Sequence, residues 1–261
     1  MIDLLKRSAS RCSVLCVALS MFFTTGASLA QDLHRVATEG SYPPWSFKDA
    51  DGVLRGWDVE IANALCERMN LRCEIVAQDW DGIIPGLLAR KYDLIVASMA
   101  ITDQRRQRVA FSAKYKETIS RFVARKGTAA DVSPAALKGK VIGVQRGSIQ
   151  AAYLSQTYRQ SDLKFYDTAQ AAELDLVAGR VDYILGNMVT YHVGFLKTPA
   201  AGNFAFVGPN LTGGLLGEGN GIAVRKEDTE LLARINAALD TLRADGTYDR
   251  ITAKYFPFKL M

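Results

Sequence analysis

The chain has 261 residues, with 32 Lys and Arg against 27 Asp and Glu, for a formal net charge of +5. That length allows one large or two small domains. The charge is mild and no Lys/Arg run is interleaved with aromatics, which argues against nucleic-acid binding; beyond the amino terminus, no apolar stretch is long enough to cross a membrane.

Residues 1–30 read as a secretory signal. Lys6, Arg7 and Arg11 give a basic start, Ser13 to Phe23 an apolar core, and Ser28-Leu29-Ala30 the small residues of a cleavage site. The apolar run is short of the ~20 residues that span a bilayer, an uncleaved anchor being the alternative. Cys16 lacks the small residues that a lipoprotein site places before its cysteine, so a free mature protein starting near Gln31 is expected. Lys6, Arg7 and Arg11 less Asp3 account for +2 of the +5, leaving +3 for the mature chain. Of four cysteines, Cys12 and Cys16 leave with the signal. Cys66 and Cys73 remain, and such a pair in an exported chain suggests a disulfide, two buried thiols being the alternative. His34 and His192 are the only histidines; neither has a second ligand at metal-site spacing, so no metal is expected.

The mature chain opens with a strand at residues 36–39. It runs into Gly40-Ser41-Tyr42-Pro43-Pro44-Trp45, where two prolines predict a loop at the strand's carboxyl end. Asp49 to Gly52 is a turn. Asp58 is expected to cap a helix whose apolar face is Ile61, Ala62, Leu65 and Met69. Residues 74–77 form a second strand. A loop with Asp79-Trp80-Asp81 and a helix through Leu87 and Leu88 follow. Leu94 to Ala97 is an apolar run suited to a buried parallel strand. Thr102 then stands as a helix N-cap with Arg105 in the first turn, where free backbone N–H groups and a guanidinium can hold a carboxylate. An Arg paired with a surface acid is the plainer alternative.

This βαβαβ order is one half of a doubly wound α/β sheet. A second α/β unit has strands at 122–124, 141–144, around Phe165, 181–185 and 204–207. Gln145-Arg146-Gly147-Ser148-Ile149-Gln150 turns into a helix through Tyr153, and Thr168 caps a helix over Ala172, Leu174 and Leu176. A glycine-rich passage, 213–221, leads to a strand at 221–224, a long helix over Leu231, Ile235, Ala238 and Leu242, and a last helix from Tyr248 to Tyr255. The last elements are expected to cover the first lobe. The expected division is thus residues 31–117 with 219–261 in one lobe and 118–218 in the other. Two crossovers, near 117–120 and 213–221, make a hinge around a cleft that closes on a ligand.

Strand ends direct Glu39 with Tyr42, Ser98 with Arg105, Ser148 with Gln150, and Asn187 toward that cleft, and Trp80 comes from a loop. The set suits a zwitterion. Arg105 and helix-end N–H groups take a carboxylate, and Glu39 takes a cation. Tyr42 and Trp80 offer ring faces to an alkyl-ammonium or guanidinium chain, each adding about 0.5–2 kcal/mol. Trp80 has simple packing as its alternative, and Gln145 and Arg146 read equally as polar loop residues. Catalysis finds little support. Gly147-Ser148-Ile149 is not a nucleophile elbow, no Ser–His–Asp set, phosphate loop or dinucleotide motif is present, and Glu39 lacks a partner for acid–base work.

Several spaced motifs together resemble the family 3 periplasmic solute-binding proteins, which include the lysine/arginine/ornithine-, histidine- and octopine/nopaline-binding proteins. They are Glu39 to Trp45, Leu65-Cys66-Glu67-Arg68-Met69, Asp81 to Pro85, Ser98 to Arg105 and Asp245-Gly246-Thr247-Tyr248. The resemblance covers nearly all of the mature chain. It implies the two-lobed α/β periplasmic-binding-protein fold of type II, a periplasmic monomer with no cofactor, and delivery of a polar amino acid to an ABC permease. It makes Arg105 the carboxylate clamp, Tyr42 and Trp80 the side-chain sandwich, and Glu39 the reader of a distal cation. Ser98, Met99 and Ala100 would line the first lobe, Gln145, Ile149 and Gln150 the second, and Cys66 and Cys73 would match the family's disulfide.

Three positions depart from the basic amino-acid binders. Ala97, Ser98 and Ala100 stand where those have serines, Ile149 where they have threonine, and Asn187 where an aspartate reads the α-ammonium. Losing that charge-assisted bond costs about 1.5–3 kcal/mol. Asn187 therefore points to an N-substituted basic amino acid of the opine kind, with plain arginine, lysine, ornithine or histidine as the alternative. Cyclohexadienyl dehydratases resemble the family in fold and supply a remote enzyme alternative.

Overall fold

The computed structural model describes residues 33–261, so the expected signal, residues 1–30, lies outside the described residues. The chain begins β1 (Leu33–Thr38), β2 (Ser41–Tyr42), β3 (Ser46–Lys48), β4 (Leu54–Arg55), α1 (Trp57–Arg68) and β5 (Arg72–Ala77). It continues through α2 (Ile83–Leu88), β6 (Leu94–Ile95), α3 (Asp103–Arg106) and β7 (Ala110–Phe111). Next come β8 (Ser120–Arg125), β9 (Val141–Gln145), α4 (Ile149–Thr157), β10 (Asp162–Tyr166), α5 (Ala169–Val177), β11 (Tyr183–Asn187) and β12 (Phe204–Leu211). The chain finishes with β13 (Ala223–Val224), α6 (Thr229–Ala244) and α7 (Thr247–Tyr255).

Two five-stranded sheets define two lobes. The first has the order β5-β1-β6-β13-β7, with β1 parallel to β5 and β6 and β13 antiparallel to both neighbours. The second has the order β10-β9-β11-β8-β12, with β8 antiparallel to β11 and β12. Both faces of the first sheet are covered, which is why its strands read as continuous apolar runs. Val36, Leu94 and Val96 pack with Ile61 and Leu65 of α1 and Ile235, Leu239 and Leu242 of α6. Ala37, Ile95 and Ala97, one residue out of phase, pack with Ile83 and Leu87 of α2 on the other face. Each of the valines, leucines and isoleucines among them contributes about 1.5–3 kcal/mol relative to exposure.

The chain passes between the sheets after β7 and again after β12, and the two crossovers pair with each other. Asn220 N donates to Lys116 O at 2.9 Å, and Tyr115 N donates to Asn220 O at 2.9 Å. Cys66 and Cys73 form a disulfide joining α1 to β5.

Some expectations need correction. Asp58 does not cap α1: the N-cap is Gly56, without a side-chain bond, and Asp58 lies inside the first turn, fully buried. Ser41 and Tyr42, expected in a loop, form β2 of a small sheet, β2-β3-β4, while Asp49 to Gly52 is the expected turn and joins β3 to β4, Gly52 N donating to Asp49 O at 3.0 Å. β6 ends at Ile95, because Ser98 adopts a left-handed φ of 50° that no ladder accommodates. Thr102, Ser148 and Thr168 do cap α3, α4 and α5, each accepting the backbone N–H three residues on.

Candidate functional site

The carboxyl end of β1 and the segments after β6 face the carboxyl ends of β9 and β11 and the start of α4 across one cavity. Glu39, Tyr42, Trp80, Ser98, Ala100 and Arg105 line it on the first lobe's side, and Gln145, Ile149, Gln150 and Asn187 on the second's. Ten of the eleven proposed positions therefore meet in one place. Met99 does not line this cavity: its side chain is fully buried in the core with Ala37 and Ile83, bordering only a neighbouring groove beside Trp80. Its place follows from geometry, since alternate residues on an extended segment face opposite ways. Thr118, Ser148 and Asn220 also line the cavity. Of these, Thr118 and Asn220 stand on the crossovers, where no local sequence pattern marks a cleft residue.

Arg105 is held from both lobes. Nη1 donates to Ala100 O at 2.9 Å, Nη2 donates to Gly147 O at 3.2 Å, and the guanidinium lies 5.2 Å from the Trp80 ring centroid. Burial brings its pKa down to about 10, so it stays cationic at neutral pH. A guanidinium fixed by carbonyls and a ring, with few ionic partners, is set to receive a carboxylate.

Glu39 carries the opposite charge. It is 5% exposed, and Gln145 Nε2 donates to its Oε1 at 2.6 Å across the lobes. Burial pushes its pKa up to about 7; the Gln145 bond opposes this, and the charges of Asp79 and Asp58 add to it. A desolvated acid of this kind gains most from a cation. Tyr42 neighbours it, and burial raises its phenol well above the ordinary range.

Asn187 is already occupied. Its Oδ1 accepts the backbone N–H groups of Val189, at 3.0 Å, and Thr190, at 3.1 Å, and its Nδ2 donates to Thr118 Oγ1 at 3.3 Å. The two backbone donors fix which way the amide points. Gln150 Nε2 donates to Ser120 Oγ at 2.8 Å at the start of β8. Ile149 packs with Ala100 and Leu216, an apolar contact between the lobes. Arg146 lies outside the cavity, exposed beside Asp167 at 3.2 Å and Asp81 at 3.8 Å. Among the described residues no group of acids, histidines or cysteines is arranged to hold a metal ion.

Two lobes, paired crossovers and a cleft lined by one fixed cation and one buried acid define a ligand-closing binding protein. Residues 34–258 match the model of the bacterial extracellular solute-binding proteins, family 3, and the chain belongs to that family. It is 48% identical over 227 residues to the L-arginine-binding protein of Pseudomonas aeruginosa, covering 86% of this chain and 88% of that one. It is 41% identical over 259 residues to the lysine/arginine/ornithine-binding periplasmic protein of Escherichia coli, covering 98% and 99%. Both relatives are named as binding proteins, not enzymes. Among solved structures, an ancestral arginine-binding protein bound to arginine superposes with a TM-score of 0.79 at 36% identity, covering 86% of this chain and 98% of that one.

Proposed function

We propose that this chain is the periplasmic substrate-binding component of an ABC importer for basic amino acids or their N-substituted derivatives. The observation that carries the reading is the placement of a buried Glu39 and a half-buried Arg105, an acid and a cation, in one cavity. Arg105 takes the carboxylate, Glu39 the distal cation, and Tyr42 and Trp80 flank the chain between them. Lobe one comprises residues 31–117 and 219–261, lobe two 118–218, and closure brings Gln145 to Glu39. The protein acts as a monomer, without catalysis, and hands its ligand to a membrane permease.

Arginine is the first candidate, since the relatives named above support a plain basic amino acid. An opine is the second, supported by Asn187, which offers no carboxylate to a primary ammonium. The deciding experiment is calorimetric titration of unfolded and refolded protein with arginine, lysine, ornithine, histidine, octopine and nopaline. Tight binding of one or more basic amino acids supports the reading, and a response limited to opines selects the second form. No response across the panel overturns both.

A further inference from the structure

Ser98 is bonded so that only its lone pairs are left for the cavity. Its hydroxyl donates to Asp58 Oδ2 at 2.6 Å. Its N–H donates to Tyr115 Oη at 3.0 Å, and that phenol donates onward to Asp58 Oδ1 at 2.7 Å. Its carbonyl accepts from Asn220 Nδ2, whose partner oxygen accepts from Lys116 Nζ at 3.0 Å. A hydroxyl has one hydrogen and two lone pairs, so Ser98 Oγ can accept from a ligand but cannot donate to it. It suits an N–H group and not a carboxylate oxygen. The left-handed φ of Ser98 keeps it in this place.

Asp58 and Lys116 are both fully buried. Lys116 sits 3.8 Å from the Trp45 ring centroid and pairs with Asn220 between the crossovers. Asp58 lies one hydrogen bond behind the cavity wall. Glu39 is the sole carboxylate among the residues lining the cavity. Asn187 has spent its oxygen on two backbone donors. A ligand whose distal cation occupies Glu39 therefore meets no acid directly at its amino end.

We propose that Asp58, acting through Ser98, is the acidic group that reads the ligand's amino nitrogen. Asp58 is a positioning residue: it takes the Ser98 proton, fixes Oγ as an acceptor and strengthens it, as charged partners strengthen a hydrogen-bonded chain. The inference rests on the reading that the ligand is an amino acid with its carboxylate on Arg105.

The test is calorimetric titration of arginine, lysine, ornithine and histidine, each beside the same acid lacking the α-amino group. The proteins are wild type, Asp58→Asn, Ser98→Ala and the double variant. Wild type should favour the amino acid over its desamino analogue by at least about tenfold. Asp58→Asn and Ser98→Ala should each cut that ratio by about tenfold, and the double variant should match the single ones, since the two act in series. Equal weakening of amino acid and analogue in Asp58→Asn would make Asp58 merely structural and overturn the inference. Should that variant fail to fold, Ser98→Ala decides: an unchanged ratio overturns the inference, a reduced one upholds it. Wild type that binds both kinds of ligand alike overturns this inference alone. Wild type that binds none of these four pairs overturns this inference, and silence toward octopine and nopaline as well overturns the proposed function with it.

Discussion

Trp45 Nε1 donates to Thr190 Oγ1 at 2.8 Å, and the two side chains are 1% and 2% exposed. Trp45 packs with Trp57 and Phe256 in the first lobe's core. Thr190 opens the π-helical turn Thr190–Phe195 that follows β11 in the second lobe. The bond joins the two lobes across the cleft. Thr190→Val removes the acceptor and leaves a buried indole N–H unpaired, at a cost of about 1–3 kcal/mol that falls on the closed form. Calorimetry should read about 5- to 100-fold weaker ligand binding, although Thr190 does not line the cavity.

Asn187→Asp keeps the oxygen that accepts from Val189 and Thr190 and supplies a second one opposite Thr118. The Thr118 hydroxyl can turn to donate to it. The fold should tolerate the change, and the new charge should favour primary amines. Arginine should bind more tightly, by up to about tenfold, while octopine and nopaline lose affinity. Competition titrations on the variant check this.

Glu39 sets a pH dependence. Its folded value, about 7, lies above its ordinary 4.5 because closure buries it. An acid shifted upward takes up a proton on folding. Its contribution favours the closed, ligand-free form fully below about pH 4.5 and is lost as pH rises through about 7, a change of up to about 3 kcal/mol. Glu173, also pushed up to about 7 by burial, adds in the same direction. Glu39→Gln should flatten this dependence and melt at a higher temperature than wild type above neutral pH. Melting curves of ligand-free wild type and variant across this range test it.

Fold and site were unequally legible in the sequence. Thr102 and Thr168 could be read as caps because a cap acts on its own first turn. The strands of the first lobe could be read because burial on both faces leaves an unbroken apolar run. β7 is too short to carry a period and exists through its pairing with the distant β13, and the hairpin β2-β3, though local, is likewise too short to show an alternation. Asp58 resembled a cap because acids favour helix starts; its actual partners, Ser98 and Tyr115, lie 40 and 57 residues away. Asn220 lay in a glycine-rich stretch and took its place in the cavity only from the pairing of the two crossovers.

The Cys66–Cys73 disulfide closes a short loop at the end of α1, and neither cysteine lines the cavity. Replacing both cysteines by serine should lower stability by roughly 2–3 kcal/mol in the chain-entropy model. Ligand affinity measured below the lowered melting temperature should stay within about twofold of wild type. Chemical denaturation and titration of the same sample separate the two effects.

The central claim is that Glu39 reads a distal cation while Arg105 holds the carboxylate. Arginine and citrulline share a carboxylate, an ammonium and nearly the same chain, and differ in the charge at the far end. Titrating both into wild type and Glu39→Gln tests the claim most directly. The account predicts that wild type prefers arginine by at least about tenfold and that the variant loses most of that preference through weaker arginine binding. Wild type that binds citrulline as tightly as arginine, or a variant that keeps the full preference, would contradict it.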